Sequence, residues 1–156
     1  VELRRAFGRF GTGVTVITVQ TPLGPLGMTA NSFSSVSLDP PLVLWLPALS
    51  SKRHDAFTQA AHFAVHILGA DQKDLADSFA ISGHAFDGLN WSAGPNGAPT
   101  LPGCLATFHC ETFAIHPAGD HSVILGQVQY AAFHPDENAP ALLFEQGRFG
   151  VFTASE

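Results

Sequence analysis

Val14-Thr15-Val16-Ile17-Thr18-Val19-Gln20-Thr21-Pro22-Leu23-Gly24-Pro25-Leu26 is the stretch that decides the fold. From Val14 to Val19 every residue is β-branched, a run that is stiff at χ1 and suits a pleated strand better than a helix. Pro22 and Gly24 then make a turn, and a more irregular extended segment resumes over 26–36, so the pattern predicts a β-hairpin. Upstream, Leu3, Ala6, Phe7 and Phe10 recur at helical spacing before Gly11 and Gly13 interrupt it, which predicts a short helix over 3–10.

Downstream, Asp39-Pro40-Pro41 breaks regular structure, and Leu42-Val43-Leu44-Trp45-Leu46 follows as a continuously apolar strand expected to be buried on both faces, with Pro47 closing it. Ser50 and Ser51 are N-cap candidates for a helix reaching Ala60. Phe63, Val65 and Ile67 alternate with Ala64, His66 and Leu68 as a strand, and Asp71 opens a helix ending near Ala80. The segment 81–103 carries five Gly, three Pro and two Asn, which predicts a long loop. Three further strands are predicted over 105–115, 122–133 and 142–152, the first two joined through His116-Pro117-Ala118-Gly119-Asp120. Turn-joined strands with only a few short helices favour a mainly β fold, a closed or nearly closed antiparallel barrel, over a parallel α/β sheet.

At 156 residues and 16.5 kDa the chain 1–156 is read as a single domain. Charged residues make up 13 %, apolar ones 46 %, and there are 13 Phe, so some apolar surface is expected to meet another subunit. A net charge of −6 with only seven Lys and Arg argues against nucleic acid or an anionic membrane as the partner and for a small molecule. No apolar run approaches the roughly 20 residues of a membrane span. Val1-Glu2-Leu3-Arg4-Arg5 lacks the apolar centre of a signal peptide, so the expected compartment is the cytoplasm.

Cys104 and Cys110 fall in a strand-like stretch, roughly 20 Å apart at that spacing, too far for a disulfide; they read as free apolar fillers. His62 and His66 have the helical spacing of a zinc pair, but on a strand they lie about 13 Å apart, and no metal is expected there. His116 and His121 flank a turn and leave a weak ligand pair across a hairpin. Gly11-Thr12-Gly13 precedes a strand and lacks the third glycine of a dinucleotide fingerprint. No acid-base pair stands out, which suits chemistry carried by a cofactor.

Two stretches suit a planar, anionic ligand. Met28-Thr29-Ala30-Asn31-Ser32-Phe33-Ser34-Ser35 brings hydroxyl and amide groups to a strand where backbone N–H groups can approach a ring edge; solvated side chains on an edge strand are the alternative. Ser50-Ser51-Lys52-Arg53 places two cations at a helix start, where the helix dipole disfavours them unless an anion binds; solvated surface cations are the alternative.

Thr12-Gly13-Val14-Thr15-Val16-Ile17-Thr18, Gly27-Met28-Thr29-Ala30-Asn31-Ser32-Phe33 and Ser35-Val36-Ser37-Leu38-Asp39-Pro40-Pro41-Leu42-Val43-Leu44 together resemble the flavin reductase-like family, which includes the small components of two-component flavin monooxygenases. The similarity continues through Ser50-Ser51-Lys52, His54-Asp55, Phe63-Ala64-Val65, Phe79-Ala80, Gly119-Asp120-His121 and Gly147-Arg148-Phe149. The resemblance implies a Greek-key split β-barrel, a homodimer, and FMN or FAD reduced by NADH or NADPH, with reduced flavin passing by diffusion to a partner oxygenase. By the same resemblance Thr29, Ala30, Asn31 and Ser32 meet the edge of the flavin ring, and Ser35, Leu46 and Phe149 are further cofactor-binding candidates. Ser51, Lys52 and Arg53 serve the flavin phosphate, and His121 is the catalytic candidate on the nicotinamide side. The sequence departs from the family pattern at Trp45-Leu46-Pro47, Arg53, Ala85 and Phe149, which keeps two alternatives open: a flavin carrier of the same fold, or a flavoprotein reducing another substrate such as a corrinoid.

Overall fold

Residues 2–156 are described by a computed structural model. Helix α1 (Glu2–Phe7) ends three residues before the predicted Phe10, and Leu3, Phe7 and Phe10 all stay exposed, so its apolar stripe covers none of this chain's own core. After β1 (Thr12–Gly13), the β-branched run forms β2 (Thr15–Thr21), in which Thr15 to Val19 are buried without a break. The hairpin is present: β3 (Gly24–Ala30) pairs antiparallel with β2, from Thr21 opposite Gly24 to Thr15 opposite Ala30.

The extended segment expected over 26–36 is two strands, β3 and β4 (Phe33–Leu38), separated by Asn31-Ser32. Four more strands, β5 (Pro41–Trp45), β6 (His62–Ile67) and, after two very short ones, β9 (Ala106–Ala118) and β10 (His121–Phe133), complete a sheet of order β3-β2-β6-β9-β10-β5-β4. In that order β3 and β4 are the opposite edges. Laid flat, seven strands would span about 29 Å, yet Ala30 and Phe33 are separated by two residues and their Cα atoms lie at most about 11 Å apart. The sheet therefore curls until its edges meet at one end and stay unpaired along the rest, which is a split barrel. Ser32 latches the seam: its Oγ accepts the Leu46 N–H at 3.1 Å and donates to the Leu46 carbonyl at 3.2 Å.

Other elements also differ from expectation. In β5, Val43 and Trp45 are buried while Leu42 and Leu44 are only half-buried, because one face of a barrel strand looks outward; the strand is not buried on both faces. Strands β9 and β10 run through His116, Pro117 and Ala118 to a turn at Gly119-Asp120, so the connection expected from His116 is mostly strand. Helix α2 (His54–Gln59) starts later than expected, with Arg53 at its N-cap and no serine cap; Ser51 Oγ instead accepts the Arg53 N–H at 3.2 Å. A 3₁₀ turn (Ala70–Gln72) precedes α3 (Lys73–Ile81), and the long loop holds only the two-residue strands β7 (Ser92–Ala93) and β8 (Pro99–Thr100). The strand expected over 142–152 is the hairpin of β11 (Leu143–Glu145) and β12 (Arg148–Gly150), joined to β1 as a separate sheet; Gln146 and Gly147, both at positive φ, make its turn.

Trp45, Phe57, Phe63, Val65, Ile17 and Ile124 fill the barrel, with Trp45 edge-on to Phe57 at 5.1 Å. A second cluster around Val16, Leu68, Phe79 and Leu101 lies under α3. Cys104 and Cys110 are both buried and free, and burial pushes their thiols up to about 11 and about 12. Among the described residues no helix is long and apolar enough to cross a membrane.

Candidate active site

Where the barrel seam opens, the end of β3, the Asn31-Ser32 link, segment 46–51 and the start of β10 surround a cleft of about 560 Å³. That volume is in the range of small-molecule and cofactor sites. Thr29, Ala30, Asn31, Ser32, Leu46, Ser51 and His121, all singled out in the sequence, line it. Met28, Pro47, Ala48 and Val123 complete an apolar wall, and Phe7 reaches it from α1.

Each lining residue is placed by simple backbone rules. Along β10 the pleat alternates: Ser122 and Ile124 are buried inside the barrel, while His121 and Val123 face outward into the cleft. On β3, Gly27 donates its N–H to the Gly83 carbonyl at 2.9 Å and its own carbonyl accepts Arg53, so its peptide groups point away from β2. Thr29, two residues on, presents its N–H and C=O on the same free edge. The chain packs too tightly at Gly27 for any side chain, since a Cβ there would come within 2.6 Å of the Phe79 ring.

The hydroxyls divide into those the fold uses and those it leaves available. Thr29 Oγ1 donates to the Ala76 carbonyl at 2.6 Å, tying β3 to α3, and Ser32 is the seam latch. At these two positions the backbone, more than the hydroxyl, is left available to a ligand. Ser51 Oγ only accepts from Arg53, which leaves its proton to donate. His121 Nδ1 lies 2.8 Å from Asp120 Oδ1. A carboxylate only accepts, so Asp120 holds the proton on Nδ1 and leaves Nε2 as an acceptor. That hydrogen bond keeps the Asp120 carboxyl below its ordinary range.

Other expected contacts lie elsewhere. The Arg53 guanidinium donates to the carbonyls of Gly27 and Ala80, at 2.9 and 3.1 Å, and also to Phe79, so it joins β3 to the end of α3 instead of facing a phosphate. Burial lowers its pKa. Lys52 is exposed and does not line the cleft. Ser35 is exposed on β4 opposite Val43. Phe149 packs on Phe144, ring centroids 5.2 Å apart, with Lys73 over its face, beside a separate hollow that includes Thr12 and Gly150. His116 pairs with Val123 and not His121, which removes the expected cross-hairpin pair.

The cleft suits a planar aromatic ligand with polar edges. Its wall is apolar, the free backbone edge at Thr29 can meet ring heteroatoms, and Ser51 supplies a hydroxyl donor at its mouth. Two features the sequence did not disclose are the wall residue Val123 and a buried His54–Ser122 contact behind it. The outward parity of His121 would have identified Val123; Ser122 and His54 lie 68 positions apart and carry no shared motif.

The sequence model described as flavin reductase like domain matches residues 7–153. An NADH-dependent FMN reductase of Agrobacterium fabrum is 55 % identical over 152 residues, covering 97 % of this chain and 86 % of that protein. The reductase component of a flavin-dependent trigonelline monooxygenase of Acinetobacter baylyi is 46 % identical over 82 % of this chain; the match spans 42 % of that longer protein. The solved structure of an NADH:FAD oxidoreductase of Streptomyces globisporus, in complex with NAD and FAD fragments, superposes with a TM-score of 0.90 at 43 % identity, covering 97 % of this chain and 92 % of that one.

Proposed function

We propose, since the chain belongs to the family of flavin reductase like domains, that it is an oxidoreductase using NADH to reduce FMN or FAD, and that it supplies reduced flavin to a partner monooxygenase. The observation that carries this reading is the convergence, in one cleft, of the free β3 edge at Thr29, the Ser51 hydroxyl and an imidazole whose tautomer Asp120 fixes. A bound flavin supplies the two-electron acceptor for the hydride of dihydronicotinamide. The protein's part is to bind and align. Thr29, Ala30 and Asn31 hold the ring edge through backbone groups and the Asn31 amide, Leu46 and Val123 exclude water, and Ser51 donates to the phosphate. His121, through Nε2, accepts from the nicotinamide carboxamide and sets the second ring against the first.

Two measurements test this. NADH oxidation by the purified protein should require added FMN or FAD. His121→Ala should raise the KM for NADH about tenfold, the worth of one hydrogen bond to a ligand, with flavin affinity unchanged. A yellow protein that oxidises no NADH would instead be a flavin carrier, and an equal loss of flavin affinity would place His121 against the flavin.

The same reading includes a homodimer. Leu3, Phe7 and Phe10 on one side, and Phe113, Ile115, Tyr130 and Phe133 on the outer hairpin of β9 and β10, are large apolar side chains left in water by this chain alone. Sedimentation at micromolar concentration should give twice the monomer mass; a monomer with full flavin affinity would overturn the dimer. We place the protein in the cytoplasm, where NADH is at hand and the thiols of Cys104 and Cys110 stay reduced.

A further inference from the structure

His54 and Ser122 are polar side chains placed inside the barrel wall, 9 % and 7 % exposed. His54 Nδ1 lies 2.8 Å from Asp55 Oδ1, and Nε2 lies 2.9 Å from Ser122 Oγ. The carboxylate can only accept, so it fixes the proton on Nδ1, and the bare Nε2 takes the hydroxyl proton of Ser122 as a hydrogen bond. A carboxylate, a histidine and a serine in this order are also the arrangement of a nucleophilic serine. Here the serine oxygen points away from the cleft, because Ser122 alternates with the outward His121 along β10. The row therefore holds structure and attacks nothing.

Burying these two groups costs free energy that a pair of apolar side chains would not. A hydrogen bond adds direction, which apolar packing lacks. This one joins the first residue of α2 to the second residue of β10. Between those points the Leu49 N–H donates to the Asp120 carbonyl at 2.9 Å and the Ser122 N–H to the Pro47 carbonyl at 3.0 Å. Segment 47–54 carries Ser51, and the residue before Ser122 is His121; the side-chain bond thus locks two walls of the cleft at a fixed separation and angle.

We infer that His54 is a positioning residue which, by bonding Ser122 from behind the wall, sets the angle at which His121 enters the cleft. The inference rests on the proposed role of His121 toward nicotinamide. It requires that losing the bond be felt through His121 and not through flavin binding.

The test is a double-mutant cycle on the full chain, with KM for NADH measured at saturating FMN and FMN affinity measured by fluorescence quenching in every variant. Ser122→Ala should raise KM for NADH about fivefold, the worth of one ordinary hydrogen bond, with FMN affinity unchanged. In a His121→Ala background the same substitution should add nothing. His54→Leu should repeat the Ser122→Ala effect and His54→Gln, whose amide reaches the position of Nε2, should restore KM; if His54→Leu does not fold, the serine cycle still decides. Should His121→Ala alone leave KM unchanged, the nicotinamide reading of His121 falls and this inference with it. If His121→Ala raises KM but Ser122→Ala has no effect, adds in full on the His121→Ala background, or weakens FMN equally, the inference alone is overturned and His54 serves only the fold.

Discussion

Between pH 6.5 and about 4 the folded state is expected to lose about 3 kcal/mol of stability through one side chain, His66. His66 is fully buried on β6, and both ring nitrogens are engaged as a neutral imidazole would engage them. Nδ1 donates to the Val16 carbonyl at 3.0 Å, and Nε2 accepts the Leu101 N–H at 3.1 Å. A second proton would sit on Nε2 facing a donor, on a side chain closed off from solvent. Burial lowers its pKa from 6.5 to about 4, the Val16 bond partly offsets this, and neighbouring His109 adds to the lowering. The sign follows directly. The unfolded chain takes up the proton below pH 6.5 and the folded one only below about 4, so the contribution is present above 6.5 and is lost as pH falls through that window. His109, its own pKa also lowered by burial, acts in the same direction.

Urea midpoints measured across that window check the claim. The wild type should fall steeply. His66→Gln should start lower at neutral pH, because one of the two bonds is lost, and should change less with acid, so that the two curves converge. Parallel curves would mean that the acid sensitivity arises elsewhere. The Leu101 bond also ties the long loop to the barrel, so loop amides should gain hydrogen exchange ahead of global unfolding.

The β2 run was legible because β-branched residues favour strands whatever surrounds them, and the hairpin because Pro22 and Gly24 act locally. The corner at Asn31-Ser32 was not: it contains no Gly or Pro, and what separates β3 from β4 is their assignment to opposite edges of a curled sheet, a global property. Gln146 hid the last hairpin for a related reason, since a glutamine at positive φ has no sequence signature. The cleft was half legible. Residues 29–32 are consecutive, so recognising one brings the rest, and Gly119-Asp120-His121 is equally compact. Side-chain chemistry misled where the fold itself uses a polar group: nothing in the sequence distinguishes the Thr29 hydroxyl, bound to Ala76, from one awaiting a ligand. The most consequential case of that ambiguity is a cation.

Arg53→Ala is expected to cost about 2 kcal/mol of stability and to weaken FMN and riboflavin binding alike. From sequence, two cations at a helix start argue for a bound phosphate, because the local dipole disfavours them. The structure supplies neutral acceptors with partial negative charge in place of an anion. The Arg53 guanidinium reaches Phe79 and Ala80, carbonyls in the last turn of α3, where a helix presents partial negative charge, and adds the Gly27 carbonyl on the free edge of β3. Its position is therefore favoured by the end of one helix more than it is disfavoured by the start of another. Charge-assisted bonds reach up to about 3 kcal/mol each when dry; this side chain is partly exposed, so the three together are discounted for solvent. Removing it frees three carbonyls and loosens β3 against α3, next to Thr29, so the ring pocket and not the phosphate contact should suffer. Arg53→Lys should recover little, because one ammonium cannot span three carbonyls. Lys52→Ala should change neither ligand, its side chain being exposed and outside the cleft. Urea midpoints, with quenching titrations of FMN and riboflavin, separate the possibilities. Loss of FMN alone in Arg53→Ala would return the guanidinium to the phosphate, and loss of FMN alone in Lys52→Ala would give that role to the ammonium; parallel loss of both ligands in Arg53→Ala, with Lys52→Ala silent, leaves Ser51 as the phosphate donor.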